Sequence, residues 1–158
     1  MAKPGHGSDG LELSSLQDLY QQVILDHYRR PRNKGPLEGA THTLTLNNPL
    51  CGDVIDLMLR LEGDRIAEVH FEGKGCSISQ ASASMMGAIL KGQTIEQALA
   101  IMDTFTRMLH GDADAAADTD LGDLRALAGV AKFPVRVKCA LLAWNCLDEM
   151  VGSEKPGS

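Results

Sequence analysis

The chain is poor in aromatic residues, in positive charge and in long apolar runs. Aromatic residues make up 4% of its 158 residues, and 15 lysines and arginines face 21 aspartates and glutamates, so the net charge is −6. Nucleic-acid partners are disfavoured, because they require basic stripes interleaved with aromatic side chains. No segment is apolar enough to cross a bilayer, and the polar, glycine-rich residues 1–13 contain no signal-peptide run. We therefore expect a cytoplasmic protein without membrane partners.

The chain contains four cysteines, and they form no CxxC pair. In the cytoplasm such a set indicates metal or thiol chemistry more than a disulfide framework. The length and the hydrophobic content of 44% suit one domain with a substantial core. We expect this domain to span residues 14–151, between flexible tails at 1–13 and 152–158.

Apolar periodicity along the chain predicts an α+β fold. Strand-like alternation marks three segments, which are Thr41–Leu46, Ile55–Leu61 and Ala67–Phe71. Their short connections predict a three-stranded antiparallel sheet. Helical spacing marks four segments, which run from Ser14 or Ser15 to about Arg30, from Ser77 to Gly92, from Thr94 to His110 and from Pro134 to Val151. Residues 111–123 are acidic and weakly patterned, and we expect a loop there that holds at most a short turn.

Two features of the first helix have ordinary structural interpretations. His27 shares an apolar stripe with Tyr20 and Val23, which favours a hydrogen-bonded core histidine over a metal ligand. The basic segment 29–35 ends the helix, and either solvation or contact with an acidic partner explains its charge.

The segment Asn48–Asp53 places a thiol and a carboxylate two residues apart at one end of the predicted sheet. Pro49 fixes its own φ angle, and Gly52 permits φ angles that other residues avoid. A turn of this kind can direct Cys51 and Asp53 towards one point. A thiolate and a carboxylate that converge suit a borderline-soft cation such as zinc better than they suit a hydrophobic core.

The other cysteines occupy different settings. Cys76 lies at a strand-to-helix junction, where a helix dipole favours a thiolate, and Cys139 lies one turn inside the last helix. Taken singly, each cysteine is better explained as a small buried hydrophobic residue, but the glycines and charges that flank Cys51, Cys76 and Cys139 weaken that explanation for the set. Cys146 lies on the same helix face as Cys139, about 10 Å further along. Because zinc–sulfur bonds are only about 2.3 Å long, one zinc ion cannot bind both, and Cys146 is interpreted as a packing residue.

Four motifs in this order resemble the SufU branch of the IscU/NifU N-terminal superfamily. They are Leu19–Tyr28, Asn48–Asp53, Gly75–Ser84 and Phe133–Ala140, and the resemblance covers roughly residues 16–151. It implies an α+β, SufE/IscU-like fold, in which a three-stranded antiparallel sheet packs against helices. It also implies a zinc ion bound by Cys51, Asp53, Cys76 and Cys139.

The resemblance further implies a role in iron–sulfur cluster assembly. The protein would be a zinc-dependent sulfurtransferase that accepts persulfide sulfur from a SufS-type cysteine desulfurase, with other Suf assembly components as further partners. Cys51 is the predicted sulfur acceptor, because it alone of these thiols lies in a Pro/Gly turn and is not anchored by a helix. The hypothesis is that zinc holds Cys51 as a thiolate of low nucleophilicity until the docked desulfurase frees it by ligand exchange.

Two features separate the chain from the scaffold branch of the superfamily. IscU-type scaffolds carry a histidine just before the last cysteine, where this chain has Lys138, and the stretch between Cys76 and Cys139 is long. Both features favour sulfur transfer. Two alternatives stay open: a scaffold that assembles a [2Fe–2S] cluster on the same residues, and a structural zinc module that serves as an interaction protein.

Arg136 and Lys138 are the predicted supporting residues. Three thiolates and a carboxylate around Zn²⁺ would leave an excess of negative charge, which nearby cations offset. Arg136 lies one turn from Cys139 on the same side of the predicted helix. For both basic residues a solvated helix face is the alternative of equal weight.

Overall fold

The computed structural model describes residue 18, residues 20–50 and residues 52–152. Helix α1 (residues 20–29) precedes strands β1 (His42–Asn48), β2 (Asp53–Glu62) and β3 (Arg65–Lys74). They are followed by helices α2 (Ser77–Leu90), α3 (Ile95–Leu109) and α4 (Ala113–Ala116), the 3-10 segment η1 (Thr119–Lys132) and helix α5 (Pro134–Val151). The predicted α+β class is confirmed. The predicted helix start at Ser14 or Ser15, the tail at 1–13 and all of the tail at 152–158 except Gly152 lie outside the described residues, so the domain boundaries stay predictions.

The sheet is antiparallel throughout, in the order β1-β2-β3, as the alternation predicted. Its central strand β2 contributes Ile55, Leu57 and Leu59 to the core, all fully buried. The register shifts between Arg60 and Leu61, so that Ala67 on β3 is left between two paired residues as a bulge. Ile66, which precedes the predicted strand segment Ala67–Phe71, is the fully buried core residue at this end of β3.

Helix α2 lies in the middle of the molecule, which explains why it is built largely from small residues. All residues from 79 to 87 are buried. Ser82 Oγ donates a hydrogen bond to the Ala140 carbonyl at 2.6 Å and accepts one from Trp144 Nε1 at 3.1 Å. Both bonds satisfy polar groups that would otherwise be buried without partners, and they attach α5 to α2.

His27 on α1 is a satisfied core histidine, as predicted. Its exposed fraction is 2%, and its Nδ1 and Nε2 atoms each lie 2.8 Å from a polar partner, Ser84 Oγ and Asp123 Oδ2 respectively. Part of the basic segment 29–35 is paired and not only solvated, since the Arg32 guanidinium donates to Asp26 Oδ2 at 2.6 Å.

Residues 111–123, predicted as a loop with at most a short turn, contain the one-turn helix α4 and the start of η1, which continues to Lys132. Asp112 and Asp118 accept hydrogen bonds from backbone N–H groups and so begin α4 and η1. The chain kinks at Gly122 within η1, and the large buried side chains recur at every third residue, namely Leu121, Leu124, Leu127 and Val130, while the small Ala126 is buried beside them. This is the period of a 3-10 helix, and a search for the α-helical period of 3.6 misses it.

The remaining helices begin where the sequence predicted. Thr94 and Gln97 form a reciprocal capping box at the start of α3, with hydrogen bonds of 2.9 and 3.1 Å. Pro134 begins α5. None of the helices in the described parts of the chain is both long and apolar enough to cross a membrane.

Candidate metal centre

Three elements bring one side chain each to a common point. Asp53 is the first residue of β2, Cys76 is the N-cap of α2, and Cys139 lies in the second turn of α5. A carboxylate oxygen and the two sulfur atoms all lie within 4.8 Å of one another. Ligands around a tetrahedral zinc ion are separated by roughly 3.8 Å for bonds of about 2.3 Å, so a small contraction suffices to bind one ion.

The Asp53 carboxylate is fully buried and is oriented by the backbone. Its Oδ1 accepts a hydrogen bond from the backbone N–H of Cys76 at 2.8 Å, and its Oδ2 lies 3.8 Å from the Cys76 sulfur. One oxygen is thus engaged by the protein, while the other faces the thiols. Because a buried carboxylate is costly unless a cation or several donors compensate it, the position fits a metal ligand.

Gly75 makes the close approach of β2 and α2 possible. Its φ angle is +153°, and a Cβ atom at this position would collide with Asp53 Oδ1 and would lie 2.8 Å from Ser79 Oγ. Only glycine leaves the space that the buried carboxylate occupies. Gly75 is therefore required for the geometry of the metal centre, although it binds no metal itself.

Cys139 is fully buried, and two neighbours define the position of its sulfur. The Val135 carbonyl lies 3.6 Å from Sγ, and Asn48 Nδ2 lies 3.9 Å from it. Asn48 also accepts the N–H of Leu50 on its side-chain oxygen at 3.2 Å and the N–H of Gly52 on its backbone oxygen at 2.9 Å. Asn48 therefore connects the turn after β1 to the Cys139 thiol.

This role of Asn48 was not among the predicted site residues. The Asn-Pro pair at the start of the motif marks a turn in the sequence, but a contact across 91 residues has no sequence signal. Cys51, the predicted acceptor and fourth ligand, lies outside the described residues. Its roles stay predictions.

Arg136 interacts with the thiols of Cys76 and Cys139, whereas Lys138 is exposed to solvent. The negative charges of Cys76 and then Cys139, together with hydrogen bonds to both sulfur atoms, raise the pKa of Arg136 above its usual value. The guanidinium is thus placed to offset the charge of a thiolate at Cys76 or Cys139. Lys138 is exposed on the neighbouring face of α5, where its charge is solvated.

Cys146 is placed in the core, away from this group. It is fully buried, its sulfur lies 3.9 Å from the Ile55 carbonyl, and burial raises the pKa of its thiol to about 12. A thiol of this kind stays protonated at neutral pH and does not bind metal. The structure agrees with its interpretation as a packing residue.

The donor set itself indicates which metals suit the site. Two sulfur atoms and one carboxylate oxygen match the ligands of tetrahedral zinc, and sulfur-rich sets also bind iron in iron–sulfur clusters. The family model of the NifU-like N-terminal domain matches residues 19–140 of the chain.

The chain belongs to this family.

Members of the NifU-like family with curated names resemble the chain over nearly its full length. The zinc-dependent sulfurtransferase SufU of Bacillus subtilis is 48% identical, over 92% of this chain and 97% of the relative. The iron–sulfur cluster assembly scaffold protein IscU of Streptococcus pyogenes is 46% identical, over 89% of this chain and 87% of the relative.

A solved structure of the same kind comes from Fervidobacterium islandicum. That protein is described as a proposed iron–sulfur cluster assembly scaffold protein for the SUF system. It superposes on this chain with a TM-score of 0.72 at 33% identity. The match covers 82% of this chain and 93% of that one. The sheet and helices that position the metal centre are thus shared with this family member.

Proposed function

We propose that this protein is a zinc-dependent sulfurtransferase of iron–sulfur cluster assembly, which accepts persulfide sulfur from a SufS-type cysteine desulfurase. The observation that carries the proposal is the convergence of Asp53, Cys76 and Cys139 within 4.8 Å, with the Arg136 guanidinium beside the two thiols. The similarity to SufU of B. subtilis, itself named a zinc-dependent sulfurtransferase, supports it.

Zinc would be held by Asp53, Cys76, Cys139 and Cys51, and it would supply charge that keeps the thiols deprotonated at neutral pH. The described ligands are suited to staying in place. Cys76 is the N-cap of α2 and its N–H donates to Asp53, and Cys139 is fully buried within α5. Removing any of the three from the centre would break hydrogen bonds of a strand end or a helix. The acceptor is therefore assigned to Cys51, in the Pro/Gly turn.

The transfer step conserves electrons and needs no outside oxidant. The Cys51 thiolate attacks the outer sulfur of the donor's cysteine persulfide, and a new S–S bond forms on Cys51. The S–S bond of the donor breaks, and its electron pair leaves with the donor cysteine as a thiolate. Arg136 stabilises negative sulfur near the centre during this exchange, because its guanidinium already lies against Cys76 and Cys139.

A scaffold function is the second candidate, and one observation favours it. The S. pyogenes relative, 46% identical, is named a cluster assembly scaffold. Lys138 opposes this alternative, because scaffolds of the IscU type carry a histidine there and an ammonium is not a metal ligand. The Suf assembly machinery is the setting that we propose under either function, and the cytoplasmic location stays a prediction.

The proposal is tested by measuring zinc content, desulfurase stimulation and cluster formation on the same preparation. We expect about one zinc per chain, faster turnover of the desulfurase, and sulfur trapped on the protein by alkylation. A visible chromophore after anaerobic loading with iron and sulfide, passed on to an apo-protein without any stimulation of the desulfurase, would instead establish the scaffold.

A further inference from the structure

Two segments of opposite charge lie side by side in the fold. Residues 29–34, at the end of α1, contain four basic residues and no carboxylate, and residues 112–123 contain five aspartates and no basic residue. All four basic side chains are exposed. Asp26 pairs with two of them, at 3.3 Å from Arg30 and at 2.6 Å from Arg32. One carboxylate cannot neutralise four cations, so the end of α1 keeps a net positive charge.

A chain of three contacts, each of 2.8 Å, connects the two segments. Asp123 Oδ2 contacts His27 Nε2, His27 Nδ1 contacts Ser84 Oγ, and Ser84 Oγ accepts the backbone N–H of Arg32. His27 and Ser84 are buried, so these contacts hold the acidic segment against the turn that contains the basic segment.

Two large apolar side chains on α1 are exposed beside these segments. Leu25 is 38% exposed and Tyr28 is 44% exposed, and they lie three residues apart on the face of the helix that His27 does not occupy. An apolar centre with a charged border is typical of protein interfaces. The described parts of the chain contain three other exposed large hydrophobic residues, in the turn after β1 and at the start of α5, and they are Leu50, Phe133 and Val135.

The arrangement of charge is self-complementary. A two-fold axis through the apolar pair would place residues 29–34 of each copy against residues 112–123 of the other, while Leu25 and Tyr28 would pack against their own counterparts. Such an isologous contact uses each charged segment twice. A foreign partner would have to be acidic beside one segment and basic beside the other, and a second copy of this chain already has that pattern.

We propose that two copies of this chain associate through the α1 face, which consists of Leu25, Tyr28 and residues 29–34 and 112–123. Opposite charges at its border orient the two copies, and the apolar pair supplies the contact that excludes water. The net charge of −6 repels the copies at long range, but the Debye length of about 8 Å at physiological salt lets the local charges dominate at contact.

The α1 face contains no proposed metal ligand. Ser84, its contact on α2, follows Cys76 by eight residues, which corresponds to about 12 Å along the helix. Both metal centres of the dimer therefore lie outside the interface, and the inference goes beyond the proposed function without depending on it.

Two charge variants test the pairing of the segments. Arg29→Glu with Arg30→Glu removes the net positive charge of residues 29–34, and Asp114→Lys with Asp120→Lys removes most of the negative charge of residues 112–123. All four side chains are exposed, so the substitutions do not alter the core. A dimer of either variant has two mismatched contacts, whereas a mixed dimer of the two variants keeps one native contact.

A third variant and a control separate the apolar centre from general charge effects. Leu25→Ser with Tyr28→Ser removes the apolar centre. Lys74→Glu with Lys132→Glu changes the net charge as much as the arginine variant does, but at exposed positions outside the α1 face. This pair is the matched control.

Sedimentation velocity at low and high salt measures the association. We expect the wild type to dimerise between about 10 µM and about 1 mM protein at low salt, as small interfaces do, and to dissociate at about 0.5 M salt. The three α1-face variants should dimerise at least tenfold more weakly at low salt. Mixing the two charge variants should restore much of the dimer, and the lysine control should dimerise as the wild type does.

Circular dichroism and zinc content check the fold of each variant, and both should match the wild type. The variants lie in different segments, so misfolding of one leaves the others to carry the test. A wild type that stays monomeric at about 1 mM protein and low salt would overturn the inference. So would a dimer that the α1-face variants leave intact, a mixture of charge variants that stays monomeric, or an equal loss of dimer in the lysine control.

Discussion

The Asp53 carboxylate contacts both the backbone N–H and the side-chain sulfur of Cys76. The Cys76 N–H donates to Asp53 Oδ1 at 2.8 Å, while the Cys76 sulfur lies 3.8 Å from Asp53 Oδ2. The first contact orients the carboxylate and leaves the second oxygen facing the thiols. The start of β2 and the start of α2 are thereby joined at the point where we propose that the metal binds.

The substitution Asp53→Asn tests whether the carboxylate binds metal or only orients the backbone. An amide oxygen can still accept the Cys76 N–H, but it lacks the charge of a carboxylate ligand. We expect zinc affinity to fall at least tenfold in a chelator competition, while the metal-free protein is not destabilised in thermal unfolding. Wild-type zinc affinity in this variant would show that Asp53 has only a structural role.

Cys139→Ser should strip zinc, and Cys146→Ser should not. Cys139 shares the centre with Asp53 and Cys76, whereas the Cys146 sulfur lies near the Ile55 carbonyl in the core. Elemental analysis of the two variants, with Cys76→Ser as a second ligand variant, makes the comparison. Zinc loss in the Cys146 variant without any loss of folded structure would contradict the assignment.

Cys51→Ala should abolish stimulation of the desulfurase and leave a folded protein. The reason is that Cys51 is the proposed acceptor, while Asp53, Cys76 and Cys139 remain to hold zinc with water. Variants in which one cysteine at a time is replaced are incubated with persulfide-charged desulfurase. The product is trapped by alkylation and identified by mass spectrometry. A normal yield of persulfide on another cysteine of the Cys51 variant would defeat this role.

The Cys146 thiol should resist alkylation in the native protein even at mildly alkaline pH. Burial raises its pKa to about 12, so raising the pH from about 7 to about 9 leaves it almost fully protonated, and only the thiolate reacts. Peptide mapping after iodoacetamide treatment, with and without denaturant, measures this. Labelling of Cys146 that rises with pH in the folded protein would refute the prediction.

Gly75→Ala should destabilise the protein by about 2 kcal/mol or more and lower its zinc content. The new Cβ would meet the Asp53 carboxylate, in addition to the strain of φ +153°. Gly111→Ala is the matched control, because Gly111 also has a positive φ of +95° but has no atom within 4 Å of the place that an alanine methyl group would take. Urea unfolding of both variants should show the larger loss at Gly75, and equal losses would remove the steric argument.

The sequence by itself determined the local elements and the kinds of ligand. The alternation in Ile55–Leu61 predicted a strand, the pair Thr94 and Gln97 predicted a capped helix, and Pro134 predicted the start of α5; all three are confirmed. Thiols and a carboxylate in the motifs indicated metal chemistry, because few other arrangements use these groups together.

Only the tertiary structure decided which groups meet. Periodicity assigns a residue to a face of its own element, but Asp53, Cys76 and Cys139 converge through the packing of β2, α2 and α5. The contact of Asn48 with Cys139 depends on the same packing, since 91 residues separate the two in the chain. The 3-10 segment Thr119–Lys132 was missed because its apolar period of three fits neither an α-helix nor a strand. Contacts between distant segments depend on how several faces are buried at once, and no single stretch of sequence contains that information.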